Sequence, residues 1–230
     1  NTMLKPNRKS SRRDFLKKGS AVLAAIGTTP RALNAQQMDE ETFWLQVRNQ
    51  FAFSEDAVPM NAANLCPSFR AVTDSVEHFT ADVDRDCSFN NRAKYTNLLE
   101  RCRRRIASQL NVSADEIALV RNTSEANNMI NNGLPLEVGD EILLWDQNHP
   151  TNNVAWDVRA ERFGLNINRV STPTAPRSEQ ELLEAFAQKF RPNTRVLAIT
   201  QISNVSGIRL PVAELVSAAH DRGIHVHVDG

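Results

Sequence analysis

Two hydroxyl side chains stand side by side where an apolar run gives way to a helical pattern. Thr123 and Ser124 lie in the run N-T-S-E-A at residues 122–126. The first turn of a helix has free backbone N–H groups, and hydroxyls beside them complete a site for an anion such as phosphate. An ordinary helix cap has the same composition, so the segment indicates an anion site only together with other signals.

Two further polar segments follow apolar runs and carry groups suited to acid–base chemistry or ligand binding. His149 lies in the run D-Q-N-H-P at residues 146–150, and Asn204 lies in Q-I-S-N-V-S-G at residues 201–207. A solvent-facing or capping histidine and a plain loop are the simpler interpretations of these two segments. Both segments nevertheless follow predicted strands, where parallel sheets place their ligands.

The last polar segment lies at residues 225–229. In the run H-V-H-V-D, His225, His227 and Asp229 alternate with valines, so all three point to one face of a strand. An H-x-H pair with a carboxylate is typical of some metal sites. The three side chains span about 13 Å at 3.3 Å per residue, too far for all three to bind one ion. Buried or capping histidines are the alternative interpretation.

The elements that would position these residues alternate along the chain. From residue 116 the pattern predicts strands and helices in turn, an order typical of an α/β fold with a mostly parallel sheet flanked by helices. Such a sheet brings the carboxyl ends of its strands, and hence the polar segments, to one edge. The predicted helices are 39–50, 92–110, 124–132, 151–163, 178–190 and 211–222, and the predicted strands are 116–120, 141–145, 166–170, 195–200 and 224–228.

The balanced charge of the 230 residues hides an uneven distribution. The sequence has 27 basic and 27 acidic side chains, and 41% of its residues are hydrophobic, which excludes a disordered chain. Residues 1–35 hold eight Lys or Arg and one acid, whereas residues 36–230 hold 19 basic and 26 acidic side chains. A body with an excess of acid argues against a nucleic-acid-binding role.

The basic leader predicts export. The run S-R-R-D-F-L-K at residues 11–17 resembles a twin-arginine signal, and a short apolar stretch (19–27) and L-N-A (33–35) follow it. We therefore expect residues 1–35 to be a signal peptide read by the twin-arginine export machinery, and the protein to be periplasmic or extracellular. An amphipathic helix or a disordered basic arm is the alternative. Because Cys66, Cys87 and Cys102 are odd in number, we expect buried free thiols rather than a disulfide framework, with a single bridge formed after export as the alternative.

In this order, the motifs resemble the class V aminotransferase family of fold-type I pyridoxal-phosphate (PLP) enzymes, which includes cysteine desulfurases and isopenicillin N epimerases. The resemblance covers most of residues 57–230. It rests on M-N-A-A-N-L-C-P at 60–67, N-T-S-E at 122–125, His149, the run at 201–207 and V-H-V-D-G at 226–230. Leu65 and Cys66 depart from the family's usual opening segment.

The resemblance implies PLP as the cofactor and gives each site residue a role. Thr123 and Ser124 would bind the phosphate, and His149 would stack on the ring and serve as an acid–base group. Asn204 would contact the ring oxygen, and Asp229 would pair with the ring nitrogen. The resemblance also implies a homodimer acting on an amino acid or amine.

The family's cofactor-binding lysine is expected downstream of residue 230. The only lysines after the leader, Lys94 and Lys189, fall in predicted helices. Residues 36–230 are therefore interpreted as the N-terminal part of a large domain that is incomplete at its C-terminus, and this part alone is expected to bind PLP weakly and to be inactive.

The reaction type stays open between transamination, epimerisation and lyase chemistry. The run from His149 to Trp156 favours an isopenicillin N epimerase-like enzyme, and the three cysteines do not match the nucleophile of a desulfurase. There are two alternatives: a metal-dependent hydrolase that uses His225 and His227, and a non-catalytic binding module.

Overall fold

The computed structural model describes residues 39–60 and 66–230. That part of the chain contains seven α-helices, one 3-10 turn and four strands. The expected signal peptide, residues 1–35, and most of the motif at 60–67 lie outside the described residues. None of the helices that can be described is both long and apolar enough to cross a membrane. The α-helices are α1 (Glu40–Arg48), α2 (Arg70–Arg85), α3 (Phe89–Leu110), α4 (Thr123–Gly133), α5 (Pro150–Phe163), α6 (Glu179–Ala187) and α7 (Val212–His220), with a 3-10 turn at Ala114–Glu116.

The chain divides into two compact units, and the first, Asn1–Cys102, contains α1, α2 and the first part of α3. A carboxylate connects α2 to α3 within it. Asp82 is buried, and its Oδ2 accepts hydrogen bonds from Lys94 Nζ at 2.5 Å and from Tyr95 Oη at 3.0 Å. The Lys94 hydrogen bond is the largest of the effects that hold the pKa of Asp82 well below its usual value.

The second unit, Arg103–Gly230, is built on a parallel sheet. Its strands are β1 (Glu141–Trp145), β2 (Asn166–Val170), β3 (Thr194–Thr200) and β4 (His225–Asp229), arranged in the order β2-β1-β3-β4. Every residue of the central strand β1 is buried, as the apolar run at residues 142–145 predicts for a strand covered on both faces. This arrangement confirms the predicted α/β class.

Each face of the sheet packs against its own helices. On one face Leu143, Trp145 and Ile199 join Phe186 of α6 and Leu215 of α7 in a buried cluster. The other face has a smaller cluster in which β1 and β3 pack against Trp156 and Ala160 of α5; its strand residues are Ile142, Leu144, Val196 and Ala198. Asp229 belongs to this second face, because it is the register partner of Thr200, two residues after Ala198.

The predicted strand at residues 116–120 was wrong. Ser113 and Glu116 form a capping box that holds Glu116 in the 3-10 turn, and the residues after it pair with none of the four strands. Leu119 and Val120 are 41% and 38% exposed, so this β-rich run has neither a ladder partner nor a packed face.

Two other expectations needed correction. Helix α2, Arg70–Arg85, was not predicted, although Val72, Val76 and Phe79 recur at helical spacing and would have indicated it. The cysteines are free, but Cys66, Cys87 and Cys102 are exposed rather than buried.

Candidate functional site

The first turn of α4 begins at a side-chain cap. Asn122 is the N-cap, and its Oδ1 accepts a hydrogen bond from the backbone N–H of Glu125 at 2.9 Å. Glu125 in turn pairs with Arg121, and this hydrogen-bonded contact lowers the pKa of the Glu125 carboxyl. Thr123 and Ser124 therefore occupy the first two positions of the helix, where backbone N–H groups have no partner within the helix. This is the geometry that favours an anion.

The end of β4 brings a carboxylate next to this helix. Asp229 is half-buried, and His227, two residues earlier on the same face, is 8% exposed. Asn127 of α4 bridges the two side chains: its Oδ1 lies 3.0 Å from His227 Nε2, and its Nδ2 donates to Asp229 Oδ2 at 3.4 Å. The three residues thus form one hydrogen-bonded chain between α4 and β4.

Thr123 and Asp229 line the same cavity, which has a volume of about 500 Å³. That volume lies within the range usual for small-molecule sites. The cavity combines the N-terminus of α4, which favours a negative group, with the Asp229 carboxylate, which favours a positive one. Its other lining residues are Val120, Asn122, Ala126, Asn127, Ile130, Val226, His227, Val228 and Gly230.

Several buried polar atoms without a hydrogen-bond partner lie on the same side of the sheet as Asp229. They include the Thr200 hydroxyl, the His227 Nδ1 and both amide atoms of Asn152. Thr200 is the neighbour of Asp229 across the ladder. Buried polar groups are normally satisfied, so this edge of the sheet suits a polar ligand. Together with the cavity's two ends, it fits a molecule such as PLP, which carries both a phosphate and a basic ring nitrogen.

The other predicted site residues lie at the same edge of the sheet but do not line this cavity. Ser124 lines a groove on another side of α4, together with Thr151. His149 is the N-cap of α5, and its Nδ1 lies 2.7 Å from Thr151 Oγ1. Asn204 is exposed in the turn after β3. The structure therefore brings Thr123 and Asp229 together, and the roles expected of the other three stay predictions.

The loops that carry His149 and Asn204 are nevertheless joined. Ser206 Oγ donates to Gln147 Oε1 at 2.5 Å, and Ser203 Oγ donates to the Gln147 carbonyl at 3.3 Å. These bonds connect the segment after β1 to the segment after β3. His149 and Asn204 are thus presented by neighbouring, mutually bonded loops at the carboxyl ends of their strands.

Sequence reasoning missed one residue of the site, Asn127. It stands four residues after Thr123, so both lie on the same face of α4. That spacing was a usable signal, but a bond from Asn127 to residues 100 positions away needed the tertiary structure.

The geometry does not support a hydrolytic metal site at His225 and His227. His225 is exposed, whereas His227 is buried and bonded to Asn127. Across residues 39–60 and 66–230, no group of three or more His, Cys, Asp or Glu side chains is arranged to hold a metal ion.

Comparison with known proteins identifies the family. The model of the family "Aminotransferase class-V" matches residues 63–230. The chain belongs to this family. Both the predicted resemblance and the parallel-sheet fold agree with this assignment.

The curated relatives of this class-V chain include cysteine desulfurases. That of Enterobacter sp. (strain 638) is 36% identical over 142 residues, which are 60% of this chain and 34% of the relative. That of Klebsiella pneumoniae subsp. pneumoniae is 35% identical with the same coverage. The chain spans about a third of the length of these relatives.

Solved structures support the fold of the class-V chain. The cysteine desulfurase CsdA from Escherichia coli superposes with a TM-score of 0.66 at 28% identity, covering 81% of this chain and 48% of CsdA. A mutant of C-DES with glycine covalently linked to its PLP cofactor gives a TM-score of 0.72 at 21% identity, covering 80% of this chain and 49% of C-DES. The second match, at this identity, supports the fold alone.

Proposed function

We propose that this chain forms the cofactor-binding part of a PLP-dependent enzyme that acts on an amino acid or amine. The observation that carries the proposal is the shared cavity of Thr123 and Asp229, which offers an anion site and a carboxylate in one space. Membership of the class-V family supports PLP as the cofactor.

Each end of the cavity would hold one end of the cofactor. The Thr123 hydroxyl and the free N–H groups of α4 would bind the phosphate. The Asp229 carboxylate would keep the ring nitrogen protonated through a charge-assisted hydrogen bond. When bound, PLP supplies an electron sink for the electron pair released at the substrate Cα.

His149 is the candidate acid–base group. Its Nδ1 accepts a hydrogen bond from the Thr151 backbone N–H at 3.3 Å, so a neutral His149 carries its proton on Nε2. That leaves Nε2 as the atom that would donate or receive a proton at a ligand. Asn204 would orient the ring oxygen, and Ser124 would add a second hydroxyl to the phosphate site.

The affinity of the full-length protein for PLP tests the cofactor assignment. We expect Asp229→Asn to weaken PLP binding by about 10- to 100-fold, because a charge-assisted hydrogen bond contributes about 1.5–3 kcal/mol. Asp221→Asn, at the exposed C-terminal end of α7, is the matched control and should bind as the parent does. PLP binding that is equally tight in the parent protein and in Asp229→Asn would refute the assignment of Asp229.

For the reaction, desulfuration of L-cysteine is our first candidate, since the curated relatives quoted above are cysteine desulfurases. Isopenicillin N epimerase-like chemistry is the second candidate, favoured by the run from His149 to Trp156. Sulfide and alanine formed together from L-cysteine in the presence of a thiol reductant support the first. Exchange of the substrate Cα proton with solvent deuterium, without sulfide release, supports the second.

We further propose that the protein is exported and that the intact enzyme is a homodimer. The paired Arg12 and Arg13 in a basic leader support export. Fractionation of cells that express the full-length protein, with and without Arg12→Lys and Arg13→Lys, tests the export proposal. Retention in the cytoplasm only when both arginines are replaced is the expected result, and size-exclusion chromatography with light scattering tests the dimer.

A further inference from the structure

We infer that Asn127 is a positioning residue, which fixes the Asp229 carboxylate and the tautomer of His227 by bonding to both. The inference rests on the proposed function, because it concerns how this chain presents Asp229 to the ring nitrogen of PLP. It assigns a role to a helix residue that no motif of the sequence singled out.

The orientation of the Asn127 amide follows from its two partners. An ionised Asp229 carboxylate can only accept hydrogen bonds, so the side of Asn127 that faces it must be the NH₂ group. The Asn127 oxygen then faces His227 Nε2 at 3.0 Å. The reverse orientation would place the amide oxygen against the carboxylate, so it is excluded by repulsion.

This orientation determines the protonation of His227. Since Asn127 Oδ1 accepts, His227 Nε2 must carry a proton. Burial is the larger effect on His227 and lowers its pKa, although the Asp229 charge opposes it. His227 is therefore neutral, with its proton on Nε2 and a bare Nδ1.

The chain of bonds leaves Asp229 with its negative charge unpaired by any cation of the cavity. Asn127 and His227 are both neutral, and no Lys or Arg is among the described residues that line the cavity. The bond from Asn127 uses Asp229 Oδ2, so Oδ1 remains for a ligand. A carboxylate in this setting favours a cationic partner, and a protonated ring nitrogen supplies one.

Replacement of Asn127 separates this role from simple packing. Asn127→Leu keeps the branched shape, at a larger side-chain volume, and removes both hydrogen bonds. Asn127→Asp keeps the shape and places a second carboxylate next to Asp229, where like charges repel. Asn132→Leu, at an exposed asparagine five residues after Asn127 on α4, is the control for loss of an amide from this helix.

The first measurement uses the cofactor-free full-length protein with ¹⁵N-labelled histidine, whose ring nitrogen shifts distinguish a protonated from a bare nitrogen. We expect His227 to show a protonated Nε2 and a bare Nδ1 in the parent and in Asn132→Leu. In Asn127→Leu we expect the His227 signals to move toward a mixture of the two tautomers. A protonated Nδ1 in the parent protein, or an unchanged tautomer in Asn127→Leu, would overturn the inference.

The second measurement is the PLP affinity of the same proteins. Asn127→Leu loses one hydrogen bond to a charged group, so we expect it to bind PLP at least about tenfold more weakly than the parent. We expect Asn127→Asp to bind more weakly than the parent as well, and Asn132→Leu to bind as the parent does. Parent-like affinity in Asn127→Leu contradicts a role in positioning Asp229.

The two measurements keep the inference distinct from the proposed function. A parent protein that shows the expected His227 tautomer but binds no PLP would refute the proposed function and confirm the bonded chain. Thermal unfolding of each variant identifies a loss of affinity that comes from misfolding. If Asn127→Leu misfolds, the PLP affinity of Asn127→Asp, which has the parent's shape, takes its place as the test.

Discussion

A buried carboxylate at the amino end of β1 connects three of the four strands, and its removal should weaken the sheet. Glu141 is 1% exposed. Its Oε1 accepts hydrogen bonds from Thr194 Oγ1 at 2.7 Å and from Asn168 Nδ2 at 3.3 Å, and its Oε2 accepts from Arg191 Nη1 at 3.1 Å. Thr194 is in β3 and Asn168 is in β2, so one side chain joins both neighbours of β1.

The expected cost of Glu141→Ala follows from the donors that it would leave unpaired. Thr194 and Asn168 are 1% and 8% exposed, and an unsatisfied buried donor costs about 1–3 kcal/mol. Arg191 adds little, because its side chain is 61% exposed and water replaces the lost ion pair. We therefore expect the free energy of unfolding to fall by about 2–6 kcal/mol, the sum for the two donors. Glu141→Gln, which keeps one acceptor oxygen, should cost less.

Urea unfolding of the full-length protein measures this loss. The buried Trp145 and Trp156 provide a fluorescence signal from the sheet and from α5. Glu161→Gln, an exposed acid on α5, is the control and should unfold as the parent does. A free energy of unfolding for Glu141→Ala within about 0.5 kcal/mol of the parent, the range usual for surface substitutions, would refute the reasoning.

Two further predictions concern the packing of the second unit and the acid stability of the first. Phe186 is fully buried against β1 and β3, so Phe186→Ala should lower the free energy of unfolding by about 3–5 kcal/mol in the same urea assay, and a loss below about 1 kcal/mol would contradict the packing. The contacts of Asp82 lower the pKa of its carboxyl group. The ionised carboxylate therefore adds to the stability of the fold above the ordinary pKa value of 3.8, and this contribution is lost as the pH falls below that value. Asp82→Asn should therefore lower the thermal midpoint at neutral pH and flatten its decrease below pH 4; an unchanged slope there would show that the carboxylate is not responsible.

The parts of the fold that could be predicted from sequence are those determined by local pattern. Strand β1 is an apolar run at residues 142–145 preceded by Glu141, and the structure confirms the predicted bounds Glu141–Trp145. The run at residues 116–120 has similar β-rich composition but forms no strand, because strand formation depends on a partner that local sequence cannot supply. Helix α2 was missed because its apolar spacing is diluted by charged and hydroxyl residues.

The site shows the same division. That the polar segments gather at one edge follows from parallel strands, and Thr123 and Asp229 do line one cavity. The bonds from Asn127 to His227 and Asp229 were beyond sequence reasoning, since they depend on how α4 packs against β4. Pattern places a residue on a face of its own element, whereas only tertiary packing selects its partner.

The most direct test of the proposed site is a crystal structure of the full-length protein grown with PLP. We predict the phosphate at the first turn of α4, beside Thr123, and the ring nitrogen within hydrogen-bonding distance of the Asp229 carboxylate. A structure with PLP bound elsewhere, or with its ring nitrogen away from Asp229, would contradict the proposed site.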